Sequence, residues 1–166
     1  MSRKPQLFII EGPDCSGKTA LAKFIANKLN VAYMHSNNHT ITENNLKCAR
    51  INLTVSGLDV VMDRCWPSEQ IYAQVLGRPT NPTSEQFATC VELKAIYIFC
   101  LGEECKARHA EHADKNHPYT DAQYNEIYFE YEKLANKMID DDLKVWIYSI
   151  ETHGANMQEF LERVMK

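Results

Sequence analysis

The chain has 166 residues, of which 45% are hydrophobic and 24% are charged, as in an ordinary globular domain with its own core. Its net charge of −4 argues against a surface that coats a nucleic-acid polymer, and no apolar run approaches the ~20 residues of a membrane span. The short polar start leaves no room for a secretory signal, and the six cysteines contain no C-x-x-C pair. We therefore expect one cytoplasmic domain over residues 1–166, with free thiols.

Apolar strands alternate with helical patterns along the chain. The predicted strands are at 7–10, 30–34, 58–62, 95–101 and 145–149. Helices are predicted at 20–29, 43–56, from 67, from 83, at 121–140 and at 156–165. This alternation predicts an α/β protein whose parallel sheet is covered by helices on both faces. Ligands of such sheets bind at the carboxyl ends of the strands.

A phosphate-binding loop is predicted directly after the first strand. Gly12-x-x-x-x-Gly17-Lys18-Thr19 lies between that strand and a helical pattern, which is the context the motif requires. Glycines let the backbone approach a phosphate, and the helix N-terminus attracts anions. Lys18 is predicted to reach the β- and γ-phosphates of ATP, and the Thr19 hydroxyl to bind Mg²⁺. The predicted ATP-binding residues are Gly12, Asp14, Cys15, Ser16, Gly17, Lys18 and Thr19.

Polar segments also follow three of the other predicted strands, at 35–39, at Asp63-Arg64 and at 103–112. Asp63 is predicted to bind Mg²⁺ together with Thr19. The structural alternative is that Asp63, or Ser68, caps the next helix. Arg64 is predicted to bind an acceptor phosphate, because a guanidinium suits bidentate phosphate contacts. Its structural alternative is an ion pair.

Three of these segments resemble a known family. The stretch 8–22, with its Glu-Gly-Pro-Asp-Cys-Ser-Gly-Lys-Thr loop, resembles the opening of thymidylate kinases, and Asp63-Arg64 resembles their Asp-Arg motif. The resemblance implies a single-domain P-loop nucleotide kinase fold with strand order 2-3-1-4-5 and a lid over about 103–119. The family is often dimeric, so a homodimer is an expectation. The run Asp-Arg-Cys-Trp-Pro-Ser-Glu resembles compact phage-type members, which would act in the cytoplasm of a host cell.

The resemblance also implies roles for individual side chains. Arg108 lies where the family's lid begins and would neutralise charge during phosphoryl transfer, with Lys106 and Lys115 as alternatives. It completes a predicted catalytic set with Lys18 and Arg64. The family's acid at the position of Asp14 contacts the sugar hydroxyl of the acceptor nucleotide, which implies the same role here.

The segment that should bind the acceptor departs from the family. Where the family has an arginine after the second strand, this chain has Ser36-Asn-Asn38. Arg50, on the next predicted helix, is the candidate replacement. The aromatic residues that could flank a base by stacking are Trp66, Tyr72 and Tyr128. Core packing is their structural alternative, because aromatic residues at helical spacing usually face the core.

The predicted reaction is ATP- and Mg²⁺-dependent phosphorylation of a nucleoside monophosphate, with dTMP as the leading acceptor. The alternative is a thymidine-type deoxynucleoside kinase. A nucleoside hydroxyl needs a general base, and no carboxylate follows the second strand before Glu43. A GTPase-like switch is disfavoured because Asn136-Lys-Met-Ile-Asp140 has one residue too many for a guanine-binding loop. The intact Lys18 and Thr19 disfavour a catalytically inactive binding protein.

Overall fold

The sheet has the predicted parallel topology. A computed structural model describes residues 3–112 and 119–166. Its five parallel strands lie in the order β2-β3-β1-β4-β5, which confirms the order predicted from the resemblance. The strands are β1 (Leu7–Glu11), β2 (Ala32–His35), β3 (Val60–Asp63), β4 (Ile96–Cys100) and β5 (Val145–Tyr148).

Helices connect the strands. They are α1 (Lys18–Leu29), α2 (His39–Ile51), α3 (Trp66–Val75), α4 (Ser84–Glu92), α5 (Glu104–His112), α6 (Asp121–Asp140), α7 (Ile150–His153) and α8 (Met157–Val164). A π-helical segment, Asn52–Ser56, extends α2, and a 3₁₀ turn, Gly154–Asn156, separates α7 from α8. In the described part of the chain, no helix combines the length and apolarity needed to cross a membrane.

Local capping explains where the prediction of helices was accurate and where it was not. The helix predicted at 121–140 has the observed bounds, because Thr120 and Gln123 form a reciprocal capping box at its start. The observed α2 begins earlier than the predicted residue 43, since the Asn38 side chain accepts the Ile41 N–H. The short helices α5 and α7 were not predicted.

Alternating strand residues divide the core into two layers. Leu7 and Ile9 of β1 pack toward α3 and α6, whereas Phe8 and Ile10 pack toward α1 and α8. All four side chains are fully buried, as expected for a parallel strand with helices on both faces.

The register brings the functional segments to one edge of the sheet. Asp63 at the end of β3 lies opposite His35 of β2 and Ile10 of β1. The loop after β1 and the polar run after β2 therefore flank Asp63. Helix α5 forms part of the predicted lid. The part of the lid at 113–118, which includes Lys115, lies outside the described residues.

Candidate active site

The phosphate loop adopts a conformation that requires glycine. Gly12 has φ +145°, and a Cβ built at this position would lie 2.6 Å from the Cys100 carbonyl oxygen. Gly17 and Cys15 also have positive φ, +81° and +62°. A side chain at position 12 would therefore collide with β4, in a backbone region that only glycine adopts freely. The loop ends at the N-terminus of α1, which begins at Lys18.

Lys18 lies inside the loop rather than in solvent. Its Nζ donates to the Pro13 carbonyl oxygen at 3.0 Å and to Asp14 Oδ1 at 3.3 Å. Burial and the Arg64 charge lower the pKa of Lys18, and the opposite charge of Asp14 partly offsets them. The loop thus holds a desolvated ammonium group where an anionic ligand would bind in place of those contacts.

Thr19 and Asp63 form a pair of oxygen donors beside Lys18. The Thr19 hydroxyl donates to Asp63 Oδ2 at 2.7 Å, and that oxygen also accepts the Tyr33 hydroxyl at 2.8 Å. His35 Nδ1 is 3.3 Å from the same oxygen. Asp63 Oδ1 is buried and has no hydrogen-bond partner in the described chain. A hydroxyl and a carboxylate with an unused oxygen fit Mg²⁺, which binds proteins through one or two such groups together with substrate phosphates.

That pair is the best metal candidate among the described residues. Within them, no group of three or more His, Cys, Asp and Glu side chains is arranged to hold a metal ion by itself.

Asp14 joins the loop to the Asp-Arg motif. Arg64 Nη2 donates to Asp14 Oδ1, and the Tyr119 hydroxyl donates to Oδ2. Burial raises the pKa of the Asp14 carboxyl, but the charges of Lys18 and Arg64 outweigh it and hold that pKa at about 2. Asp14 is therefore an anion shared by the two cations of the site.

The backbone of Arg64 has a left-handed conformation with φ +72°. Its N–H donates to the Ile10 carbonyl oxygen at 3.0 Å, and its guanidinium lies 5.2 Å from the centre of the Tyr72 ring. The sheet therefore holds the backbone while Asp14 and Tyr72 hold the charged end, which leaves Arg64 well positioned for an anion.

Glu11 holds the start of α3. Glu11 Oε1 accepts the Cys65 N–H at 2.6 Å, and Oε2 accepts the Ser68 hydroxyl at 2.6 Å. Neither Asp63 nor Ser68 caps this helix, so that alternative was wrong. A carboxylate from β1, distant in sequence, accepts the orphan N–H instead. Glu11 is fully buried, and burial raises its pKa to about 7 despite these hydrogen bonds.

A cavity of about 310 Å³ opens beside Arg64. It lies between the polar run Ser36–Asn38 and the face of α3 that carries Glu69 and Tyr72, and Arg78 lines it beyond the end of α3. The cavity thus has an arginine at the phosphate loop and polar groups along its length. Of the predicted substrate-binding residues, it brings together Arg64 and Tyr72, and Asp14 contacts Arg64 from the loop.

Three predicted substrate-binding residues lie outside this cavity. Arg50 is exposed and pairs with Glu92 of α4 at 2.8 Å. Trp66 is buried and donates its Nε1–H to the Tyr97 hydroxyl at 3.1 Å. Tyr128 is buried in the α6 face of the core. Trp66 and Tyr128 therefore pack in the core, which was their structural alternative. Arg50 lies on a different surface from the cavity.

Arg108 lies on α5, close to the loop. The Tyr124 hydroxyl bonds to the carbonyl oxygens of both Asp14 and Cys105, at 2.8 and 3.1 Å, so α5 is held against the loop. Burial and Asp14 raise the pKa of the Cys15 thiol, and the charges of Lys18 and Arg108 oppose the shift. Arg108 is half-buried, and no described residue forms an ion pair or hydrogen bond with its guanidinium.

Sequence reasoning missed several residues of the site. Tyr33 was predicted only as part of a strand, and Tyr119 lay at the end of a charged segment without a pattern. Arg78 was placed in a turn-rich loop. The cap formed by Glu11 carries no local signal, because Glu11 lies 54 positions before Cys65.

The fold is that of P-loop nucleotide kinases. No protein-family profile and no curated protein matches the chain, so the comparison rests on solved structures and concerns the fold. YorR from Bacillus subtilis, solved "in complex with phosphorylated GDP", is 17% identical with a TM-score of 0.70, and the match covers 96% of this chain and 95% of YorR.

Two further structures have the same fold. Thymidylate kinase from Candida albicans is 14% identical with a TM-score of 0.63, over 100% of this chain and 96% of that one. Deoxyadenosine kinase from M. mycoides, solved with bound dCTP, is 14% identical with a TM-score of 0.61, over 95% and 97% of the two chains.

The buried carboxyl of Glu11 predicts a pH dependence of stability. Its pKa rises from 4.5 to about 7 on folding, so the folded state binds more protons than the unfolded state between these values. The free energy of unfolding should therefore fall as pH rises through this window, by about 3 kcal/mol in total. Glu11→Gln removes the titration and should flatten the dependence, as measured by urea unfolding from pH 4.5 to 8.

Glu126→Gln is the matched control, because Glu126 is exposed on α6. It should leave the wild-type pH dependence unchanged. A Glu11→Gln protein that retained the full wild-type slope would contradict the assignment of the titration to Glu11.

Proposed function

We propose that this protein transfers the γ-phosphoryl group of ATP to a nucleoside monophosphate. The observation that carries the proposal is the meeting of two cationic sites at Asp14. Lys18 bonds to Asp14 from the phosphate loop, and Arg64 bonds to it from the rim of the cavity. A donor phosphate held by one cation would thus lie next to an acceptor phosphate held by the other. Phosphoryl transfer depends mainly on such positioning and charge neutralisation.

On the donor side, Lys18 would exchange the Pro13 carbonyl and the Asp14 carboxylate for phosphate oxygens. Thr19 and Asp63 would hold the metal ion. Bound Mg²⁺ supplies charge neutralisation between the phosphates. Tyr33 and His35 contact Asp63 Oδ2 and orient the carboxylate, so that its other oxygen remains available.

On the acceptor side, a monophosphate is favoured over a nucleoside. Arg64 suits an anionic acceptor. The polar run after β2, Ser36–Asn38, supplies hydroxyl and amide groups to the cavity and no carboxylate at the end of the strand; the carboxylate that lines the cavity, Glu69, lies on α3 instead. The resemblance to thymidylate kinases makes dTMP the first acceptor to test, and a thymidine-type deoxynucleoside kinase is the alternative. The guanine nucleotide named for YorR adds guanosine monophosphates to the acceptor panel.

Arg108 is the proposed lid cation. It lies near Cys15 of the loop, as its effect on that thiol requires, and no described residue neutralises its charge. An arginine in this position stabilises charge that develops between donor and acceptor. Of the alternatives, Lys106 lies over the Tyr128 ring, 4.5 Å from its centre, and contacts Glu103.

The function is tested by ADP release with ATP, Mg²⁺ and a panel of nucleosides and nucleoside monophosphates. We expect turnover with at least one monophosphate and none with nucleosides. Lys18→Ala should lower kcat at least about a hundredfold, as expected for the loss of a charge that stabilises the transition state. The matched control Lys28→Ala alters an exposed lysine of α1. Turnover of thymidine without any monophosphate would favour the alternative kinase.

Arg64→Ala should weaken the acceptor site selectively. We expect the KM for the monophosphate to rise about ten- to a hundredfold, because a charge-assisted contact is lost, while the Kd for ATP changes little. Steady-state kinetics and ATP titration measure the two quantities. Arg50→Ala is the control, since Arg50 is a surface arginine paired with Glu92. Equal weakening of ATP and acceptor would refute the assigned role of Arg64.

Arg108→Ala should lower kcat by about a hundredfold with little change in either KM, because the proposed interaction strengthens only in the transition state. Single-turnover measurements would separate this step from product release. Arg163→Ala, at an exposed arginine of α8, should have no effect. Unchanged turnover of Arg108→Ala would exclude Arg108 as the lid cation.

A further inference from the structure

The cavity carries two opposite charges that phosphate binding leaves unused. Glu69, in the first turn of α3, and Arg78, beyond the end of α3, both line it. In the described chain, neither forms an ion pair with the other or with any third residue. A carboxylate and a guanidinium in one cavity of about 310 Å³, each without a charged partner, are suited to a ligand that offers both hydrogen-bond donors and acceptors.

These groups lie along the α3 side of the cavity. Arg64 precedes α3 and marks the phosphate end of the cavity. Helix α3 spans ten residues, or about 15 Å. Arg78 follows the helix, and its backbone N–H donates to the Ala73 carbonyl oxygen at 2.9 Å. Glu69 is linked to the same loop, because Asn81 Nδ2 lies 3.5 Å from its Oε1. Glu69 and the loop that carries Arg78 thus line the same cavity as Arg64, so a nucleotide whose phosphate bound Arg64 would have its base within the cavity that both charges line.

The donor and acceptor pattern of the bases separates the candidates. Guanine presents adjacent O6 and N7 acceptors, which suit a bidentate arginine. It also presents its N1–H beside the N2 amino group, two adjacent donors that suit a carboxylate with two acceptor oxygens. Thymine has a single N–H donor between two carbonyl oxygens, and a carboxylate would repel those two oxygens. Cytosine offers one amino group to the carboxylate.

We propose that the acceptor base is guanine, with Glu69 accepting the N1–H and N2–H donors and Arg78 donating to O6 and N7. This assignment rests on the proposed function and specifies its substrate as a guanosine or deoxyguanosine monophosphate. It differs from the dTMP expected from the sequence resemblance, because the Asp-Arg and phosphate-loop motifs contact phosphates, whereas Glu69 and Arg78 lie outside them.

The test compares kcat/KM for dGMP, dIMP, dTMP and dCMP. Inosine keeps O6, N7 and N1–H but lacks the amino group. Wild type should prefer dGMP to dIMP by about ten- to a hundredfold, the value of a hydrogen bond to a charged group. Glu69→Gln should bring the dGMP/dIMP ratio close to one, since the amide offers a donor where the carboxylate offered an acceptor. Glu85→Gln, on the exposed part of α4, should leave the ratio unchanged.

Arg78→Ala should lower kcat/KM at least about tenfold for dGMP and dIMP alike, because both keep O6 and N7. Preference of the wild-type protein for dTMP or dCMP would overturn the guanine assignment and leave the proposed function intact. An equal loss for all acceptors in a folded Glu69→Gln protein would also overturn it. If no monophosphate is phosphorylated, the proposed function fails. Calorimetric titration of dGMP against dTMP then decides the guanine assignment separately, with tighter binding of dTMP refuting it.

Discussion

The shared carboxylate of Asp14 is the interaction on which the rest of the site depends. Two cations, Lys18 and Arg64, converge on it from different elements, and like charges held this close are unfavourable without an anion between them. Substrate phosphates carry the same sign as Asp14 and would bind the same cations. The fold thus holds both cations in place before any ligand binds, and part of the free-energy cost of ordering them is met on folding.

The second constraint is the abrupt turn after β3. Arg64 has a left-handed backbone, which is unfavourable for a side chain with a Cβ, and α3 begins two residues later. Glu11 stabilises this turn by accepting both the Cys65 N–H and the Ser68 hydroxyl. A buried carboxyl is itself costly to ionise, and its pKa of about 7 reflects that cost. The geometry of Arg64 is therefore maintained by a group whose charge changes near neutral pH.

The sequence alone was sufficient to predict the strands of the sheet, because the pattern that identifies a strand is local and periodic. Apolar runs gave all five strands, and the order follows from the kinase resemblance, as the observed topology confirms. Local pattern could not say which buried aromatic residue faces a ligand, and for that reason Trp66 and Tyr128 were candidates although both pack in the core. Arg50 was proposed from its place in the chain, but its ion pair depends on where α4 packs. Contacts such as Glu11 with Cys65 arise only from the tertiary arrangement.

The same distinction bears on substrate identity. Every kinase of this fold must hold phosphates, so a motif built from loop amides, a lysine and an Asp-Arg pair reports the phosphate chemistry and carries little information about the base. For a nucleotide bound in this cavity, side chains of α3 and of the loop after it would determine which base fits. There this chain places a carboxylate and a guanidinium, at Glu69 and Arg78. A carboxylate beside a base would require N–H donors on that base. Under the proposed function, this requirement would limit the choice of nucleotide more than any likeness in the phosphate loop does.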